Sequence, residues 1–314
     1  MIGPIFSNKV KIITRNANRY NINVISLSNN QELYNKTNDE AAIFLAGFLP
    51  EQKIISSIEY LQSKNINNYA ILTPNTSYGF KVSKIVKDII KNRDDNLIQS
   101  DFYNNSNSSI RDTVKRIIRT YKVPTEKTEG GGRIFEKDYR LLQSDKQYVE
   151  AIFFAGSKED FNSLTSNISE LNKEQREIHI VSLNDIDLTK VSSQSNGPVK
   201  VILASTDDYN FNRFAKSYNR LFRSNPPRIS SIVYDKVSAI AEIVDRNSNK
   251  TPAKDDFVNY SPTENVIGFS GVDGRFRFLD NGLIERKYSI FGSKNNRLAK
   301  LYDAANDPKF LEYK

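Results

Sequence analysis

The 314 residues contain no cysteine, which excludes disulfides, cysteine-ligated metal and a thiol nucleophile. Histidine occurs once, at His179, inside the apolar stretch Ile178-His179-Ile180-Val181. A strand there half-buries the imidazole, and a single histidine builds neither a multi-histidine zinc site nor a secure Ser-His-Asp triad. No stretch approaches the roughly 20 apolar residues that cross a bilayer. Met1 is followed at once by Ile2-Gly3-Pro4, with no basic segment and no long apolar one, so no secretory leader is expected on the chain as written. The one glycine run, Gly130-Gly131-Gly132, lacks the Gly-Lys-Ser/Thr ending and the preceding strand of a phosphate-binding loop. The expectation is therefore a protein without cofactor or metal that works by binding rather than catalysis.

What is present suits a folded chain. Hydrophobic residues make up 38% and charged residues 26%, enough for buried cores, and the length allows two domains or one fold of two lobes. The formal charge is +8, but the cations are scattered. The tightest groups, Lys115-Arg116 with Arg119 and Arg213 to Arg223, fall on amphipathic helical stretches, where Lys and Arg form a solvated face. No nucleic-acid partner is expected.

Short β-branched or aromatic runs alternate with longer stretches of helical period, the pattern of βαβ units around parallel sheets. Strands are predicted at Asn23–Ser26, Ala42–Leu45, Tyr69–Thr73, Val149–Ala155, Ile178–Leu183 and Val199–Ala204. Most are continuous apolar runs, as in strands covered by helices on both faces. Helices are predicted at Asn8–Tyr20, Glu51–Ser63, Lys81–Lys91, Ser109–Tyr121, Lys158–Leu171, Tyr209–Phe222 and Ile229–Val244. Residues 123–147 carry Pro124 and the triple glycine and read as a surface loop. Gly274–Leu279 and Leu283–Phe291 alternate apolar and polar residues around Asp280-Asn281-Gly282, the mark of a β-hairpin. Asp207-Asp208 are placed to cap the helix that starts near Tyr209 rather than to share a proton.

Three polar turns fall where open α/β sheets place ligands, at the carboxyl ends of strands or the amino ends of helices. They are Gly3-Pro4-Ile5-Phe6-Ser7, Ser26-Leu27-Ser28-Asn29-Asn30 and Pro74-Asn75-Thr76-Ser77-Tyr78-Gly79. Capping and turn formation account for much of each, but Tyr78 is an amphipathic side chain at a mouth position. Their order, with Phe48-Leu49-Pro50-Glu51-Gln52 between them, resembles the type I periplasmic binding proteins of the Leu/Ile/Val-binding group, and most closely the proteobacterial penicillin-binding protein activators. Pro226-Pro227-Arg228 leading into Ile229-Ser230-Ser231-Ile232-Val233-Tyr234-Asp235, and Phe269-Ser270-Gly271-Val272-Asp273-Gly274-Arg275-Phe276-Arg277-Phe278 before Asn281-Gly282, extend the likeness to about Phe291.

The resemblance implies a two-lobed α/β fold with two Rossmann-like parallel sheets and a C-terminal β-hairpin. Lobe 1 would hold residues 1–66 and 228–265, and lobe 2 residues 67–227 and 266–314. It also implies that the first strand–helix units and the export or lipoprotein signal of the family are missing, leaving the first lobe N-terminally truncated, as in a split or shortened gene. By position Ser7, Ser28 and Asn30 resemble the groups that hold an amino acid's carboxylate, and Tyr78 the cleft tyrosine. Ser157 and Asn184 stand where amino-acid binders carry an aromatic residue and an acid facing the ligand's ammonium. Loss of that charged hydrogen bond costs about 1.5–3 kcal/mol. The implied function is a non-enzymatic envelope protein that engages a peptidoglycan synthase or a cell-envelope ligand; the alternative is the periplasmic solute-binding component of an ABC importer for amino acids or a small polar ligand. The implied location is periplasmic.

Overall fold

A computed structural model describes the chain except residues 21, 29–42, 94, 105, 123–145, 185–196, 207, 249–250, 263–266, 295–296 and 304–314. The predicted loop at 123–147 and Asp207 thus lie largely or wholly outside the described residues.

In chain order the first elements are α1 (Ser7–Tyr20), β1 (Val24–Ser26), β2 (Ile43–Leu45), α2 (Pro50–Gln62), β3 (Asn68–Pro74), α3 (Ser77–Asn92), β4 (Asn96–Tyr103) and α4 (Asn107–Arg119). They are followed by β5 (Tyr121–Lys122), β6 (Gln147–Tyr148), β7 (Ala151–Phe154), α5 (Lys158–Leu171), β8 (Ile178–Ser182), β9 (Val199–Ser205) and α6 (Asp208–Phe222). The last are α7 (Ile229–Arg246), α8 (Lys254–Val258), β10 (Phe269–Gly271), β11 (Gly274–Phe278), β12 (Ile284–Arg286), β13 (Ser289–Lys294) and β14 (Arg297–Tyr302). Among the described residues no helix is long and apolar enough to cross a membrane.

The chain divides into two compact units, one formed by Met1–Ser56, Ser205–Ser289 and the residues from Tyr302 on, the other by Ser57–Ala204 and Ile290–Leu301. This differs from the expected division: residues 205–227, 266–289 and those from 302 on join the first unit, and 57–66 join the second. The reason is packing: Phe269, Phe276, Phe278 and Ile284 share one apolar core with Ile25, Phe44, Ile232 and Ile243.

The second unit is built on a seven-stranded sheet of order β14-β13-β9-β8-β7-β3-β4. From β4 through β9 the neighbours pair in parallel. The central strands β7 and β8 are buried along their whole length, as expected for a parallel sheet covered on both faces. Ile152, Phe154, Ile180 and Val201 pack on one side against Ile110, Val114 and Ile117 of α4 and Phe161, Leu164 and Ile168 of α5. The helices begin where short polar side chains accept amide hydrogens, Thr76 from Gly79 and Ser106 from Ser109, each at 3.2 Å.

In the first unit β1 and β2 pair in parallel, and the chain's opening residues run beside β1, with Gly3 N–H donating to the Ile25 carbonyl at 2.8 Å and Leu27 N–H to that of Pro4 at 2.9 Å. Strands β10, β11 and β12 form an antiparallel sheet. The predicted hairpin is present between β11 and β12, with Gly282 at φ +73° in the turn. Its second arm stops at Arg286, however, and Ser289 opens β13 of the seven-stranded sheet.

Candidate ligand-binding site

The carboxyl ends of β3, β7 and β8 lie side by side in the second unit, and three of the six residues singled out in the sequence meet there. Tyr78, in the first turn of α3 and half exposed, donates its hydroxyl to Asn184 Oδ1 at 2.8 Å. Asn184 in turn donates from Nδ2 to the Gly156 carbonyl at 2.8 Å, and Ser182 Oγ holds the Asn184 carbonyl at 2.8 Å. Next to Gly156, Ser157 caps α5: its Oγ accepts from Asp160 N–H and its own N–H donates to Asp160 Oδ2, both at 3.2 Å.

Close packing shapes this edge. A Cβ on Gly79 would sit 1.9 Å from the Pro74 carbonyl oxygen, and one on Gly156 would sit 2.2 Å from the Phe154 ring and from the Tyr103 hydroxyl. Only glycine lets the chain pass. Tyr103 stacks on Phe154 with ring centroids 5.8 Å apart and donates to Asp160 Oδ2 at 2.9 Å. Burial, and then the bond to Asp160, push the Tyr103 hydroxyl well above its usual pKa, so it remains a donor. Asp160 is thus held by Ser157 and Tyr103 and spends its charge inside the protein.

The three residues brought together at the edge are neutral, a phenol, an amide and a hydroxyl, and stand beside the first-turn amides of α3 and α5, which carry the positive ends of two helix dipoles. Such a set favours hydrogen-bonding neutral groups or anions. Both ends of the Asn184 amide are already engaged, so among the described residues it offers an ammonium no charged partner.

The other three residues belong to the first unit or fall outside the description. Ser7 is the first residue of α1. Ser28 is buried, its N–H donating to Ser26 Oγ at 3.2 Å and its carbonyl accepting from Gly47 N–H at 3.2 Å. Asn30 lies outside the described residues. His179 sits in β8, buried, with Nε2 3.0 Å from Glu177 Oε1, and is a strand residue as expected.

Sequence reasoning missed a charged cluster in the first unit. Arg228 pairs with Asp273 Oδ1 at 2.5 Å, donates to Thr206 Oγ1 at 2.6 Å and to Ser231 Oγ at 2.9 Å, and lies 4.2 Å from the Phe211 ring centroid. Behind it Asp235, Lys236 and Arg286 are buried. Arg228, Asp235 and Asp273 stand in the motifs that carry the resemblance, but burial is signalled only by the charges at 235 and 236, on a helix face whose other inward positions are Ser231, Ile232, Ala239 and Ile243.

The two compact units, the parallel sheet with helices on both sides and the C-terminal antiparallel strands define the fold of the type I periplasmic binding proteins. Among solved structures, an ABC transporter substrate-binding protein from Desulfitobacterium hafniense in complex with Leu superposes with a TM-score of 0.57 at 13% identity, covering 96% of this chain and 79% of that one. The C-domain of LpoA from Haemophilus influenzae, a regulator of PBP1A, superposes with a TM-score of 0.56 at 15% identity, covering 96% of this chain and 81% of that one. In sequence, the uncharacterised protein RP748 of Rickettsia prowazekii (strain Madrid E) is 25% identical over 129 residues, 41% of this chain and 33% of that protein, so the match spans about a third of the relative's length. The chain matches no family model.

Proposed function

We propose that this chain is a non-enzymatic binding protein of the cell envelope that engages a peptidoglycan synthase, in the manner of the penicillin-binding protein activators. The observation that carries this reading is Asn184. At the ligand-facing edge expected to answer an amino acid's ammonium, an amide stands in place of an acid and is tied on both sides by Tyr78 and Gly156. An ammonium brought there loses its charged partner, about 1.5–3 kcal/mol. The fold, shared with a regulator of PBP1A, is compatible with this role, and the implied location is the periplasm.

The same fold is shared with a substrate-binding protein holding Leu, so solute capture is the competing reading. A thermal-shift panel of free amino acids separates the two, since a ligand at 100 times its dissociation constant stabilises by about 2.7 kcal/mol. We expect no shift with any free amino acid, and co-sedimentation with the ectodomain of a class A peptidoglycan synthase. A clear shift with an amino acid, together with no synthase binding, would replace the proposal by transport.

A further inference from the structure

Helices α6 and α7 of the first unit leave an open apolar groove between them, about 800 Å³ in volume. An aromatic ladder runs along it: Phe214 lies 6.0 Å from Tyr218 and 5.3 Å from Tyr234 between ring centroids, and Tyr218 lies 4.5 Å from Phe222. Its walls are unusually bare, with Leu221 77% exposed, Phe222 61%, Tyr234 55% and Val237 51%. Large apolar side chains gathered this way mark an interaction surface rather than ordinary scatter. The lining includes one charged side chain, Arg213, and no carboxylate, and the outer face of α6 continues the positive charge through Lys216 and Arg220.

We infer that this groove receives an amphipathic helix from polypeptide outside these 314 residues, one whose apolar stripe is flanked by acidic side chains. The lining runs along α6 from Asn210 to Phe222, about 18 Å at 1.5 Å per residue, room for three to four turns of a partner helix with anchors at i, i+3, i+4 and i+7. Charge complementarity sets its flanks: Arg213 at the rim, with Lys216 and Arg220 beyond, favours Glu or Asp on the side facing α6. A two-fold dimer through this groove would bring together two copies of a lining that holds Arg213 and no carboxylate to answer it. A lipid surface needs apolar groups that project together from a convex face, whereas Phe214 and Tyr218 are half-buried in the lining of a groove. The inference does not depend on the ligand chemistry at Tyr78, and its test requires no synthase, so the two proposals fail separately.

The probes are labelled helical peptides of about 18 residues that share one Leu/Phe stripe and carry Glu on the flanks in one version and Lys in the other. Fluorescence anisotropy with the whole chain is expected to show the Glu peptide binding at least about 10-fold more tightly than the Lys peptide, with the difference shrinking at about 0.3 M salt. Leu221→Glu, at an exposed position that the fold does not need, should weaken the Glu peptide about 10-fold. Arg213→Glu should reverse the preference between the two peptides, an outcome that mere unfolding cannot produce. Equal binding of both peptides, no binding of the Glu peptide, or indifference to Arg213→Glu would overturn the inference. So would sedimentation as a dimer that Leu221→Glu dissociates, or flotation with anionic vesicles that it abolishes, because either result assigns the groove to another occupant.

Discussion

At the residue scale, the single histidine offers the clearest pH signal. Its ring is buried in β8, and burial first, then Lys200, lowers its pKa from 6.5 to about 4. Glu177 stands 3.0 Å away but is itself largely exposed, so solvent screens its charge and burial wins. The unfolded chain takes up a proton near pH 6.5 while the native chain stays neutral to about pH 4. The native state therefore loses stability as the pH falls through that window, by up to about 3 kcal/mol at its lower end. His179→Gln should remove this contribution, so urea unfolding of the two proteins at pH 7 and near pH 4 should show a smaller acid loss for the variant. Parallel losses would mean that His179 is not buried in the native state. At the candidate site the same scale separates what could be read. Tyr78 was visible as a polar group at a strand and helix end, and Ser157 and Asn184 through the family resemblance alone, but Tyr103 and Gly156 were not visible. Their importance comes from a 2.2 Å clash that any side chain at 156 would make with a strand far off in sequence.

At the scale of an element, α7 shows how a helix can be read correctly and its chemistry missed. Ile232, Ala239 and Ile243 pack inward at helical spacing, and Asp235 and Lys236 lie buried among them. Asp235 accepts from Val272 N–H at 2.6 Å and Asp273 N–H at 3.3 Å, holding the turn between β10 and β11, and Arg286 stands 4.0 Å away. Lys236 Nζ lies over the Phe276 ring with no hydrogen-bond partner among the described residues. Burial, and then Arg286, hold its pKa well below the usual lysine range. Asp235→Ala should therefore destabilise by about 3 kcal/mol, since it leaves two amides and the Arg286 charge unmatched. Lys236→Met keeps an unbranched side chain one atom shorter and removes a desolvated cation, and should be neutral or stabilising by up to about 2 kcal/mol. Chemical denaturation of both variants checks this, and a larger loss for Lys236→Met would show that the ammonium is charged and paired. Among the strands, β4 escaped prediction because it is the edge of its sheet. Only Ile98 and Tyr103 of its eight residues are buried, so its sequence carries little apolar pattern. The hairpin arm predicted from Leu283 to Phe291 is broken because its alternation runs through a change of sheet that periodicity does not register.

At the scale of the whole molecule, the net charge of +8 is dispersed, and several cations are spent in pairs such as Arg111 with Glu170 at 2.6 Å and Arg277 with Glu285 at 2.5 Å. Duplex DNA should bind no tighter than about 1 μM at physiological salt, the range of non-specific attraction, as a titration with a random-sequence duplex would check. A tighter, weakly salt-dependent complex would reveal a basic surface that the dispersed charge does not predict. The sequence by itself determined the α/β class, most of the parallel strands and their covering helices, the β11–β12 hairpin and Tyr78 at the candidate site, because these rest on local periodicity, turn chemistry and position at the end of an element; Ser157 and Asn184 came from the family resemblance. Only the tertiary structure decided that residues 205–227 and 266–289 join the first unit and 57–66 the second. It alone brought Asn184 against Tyr78, buried Asp235 and Lys236 beside Arg286, and left the aromatic face of α6 open along α7. Each of these depends on which distant segments pack together, and burial, pairing and exposure are properties of that packing rather than of any stretch of chain.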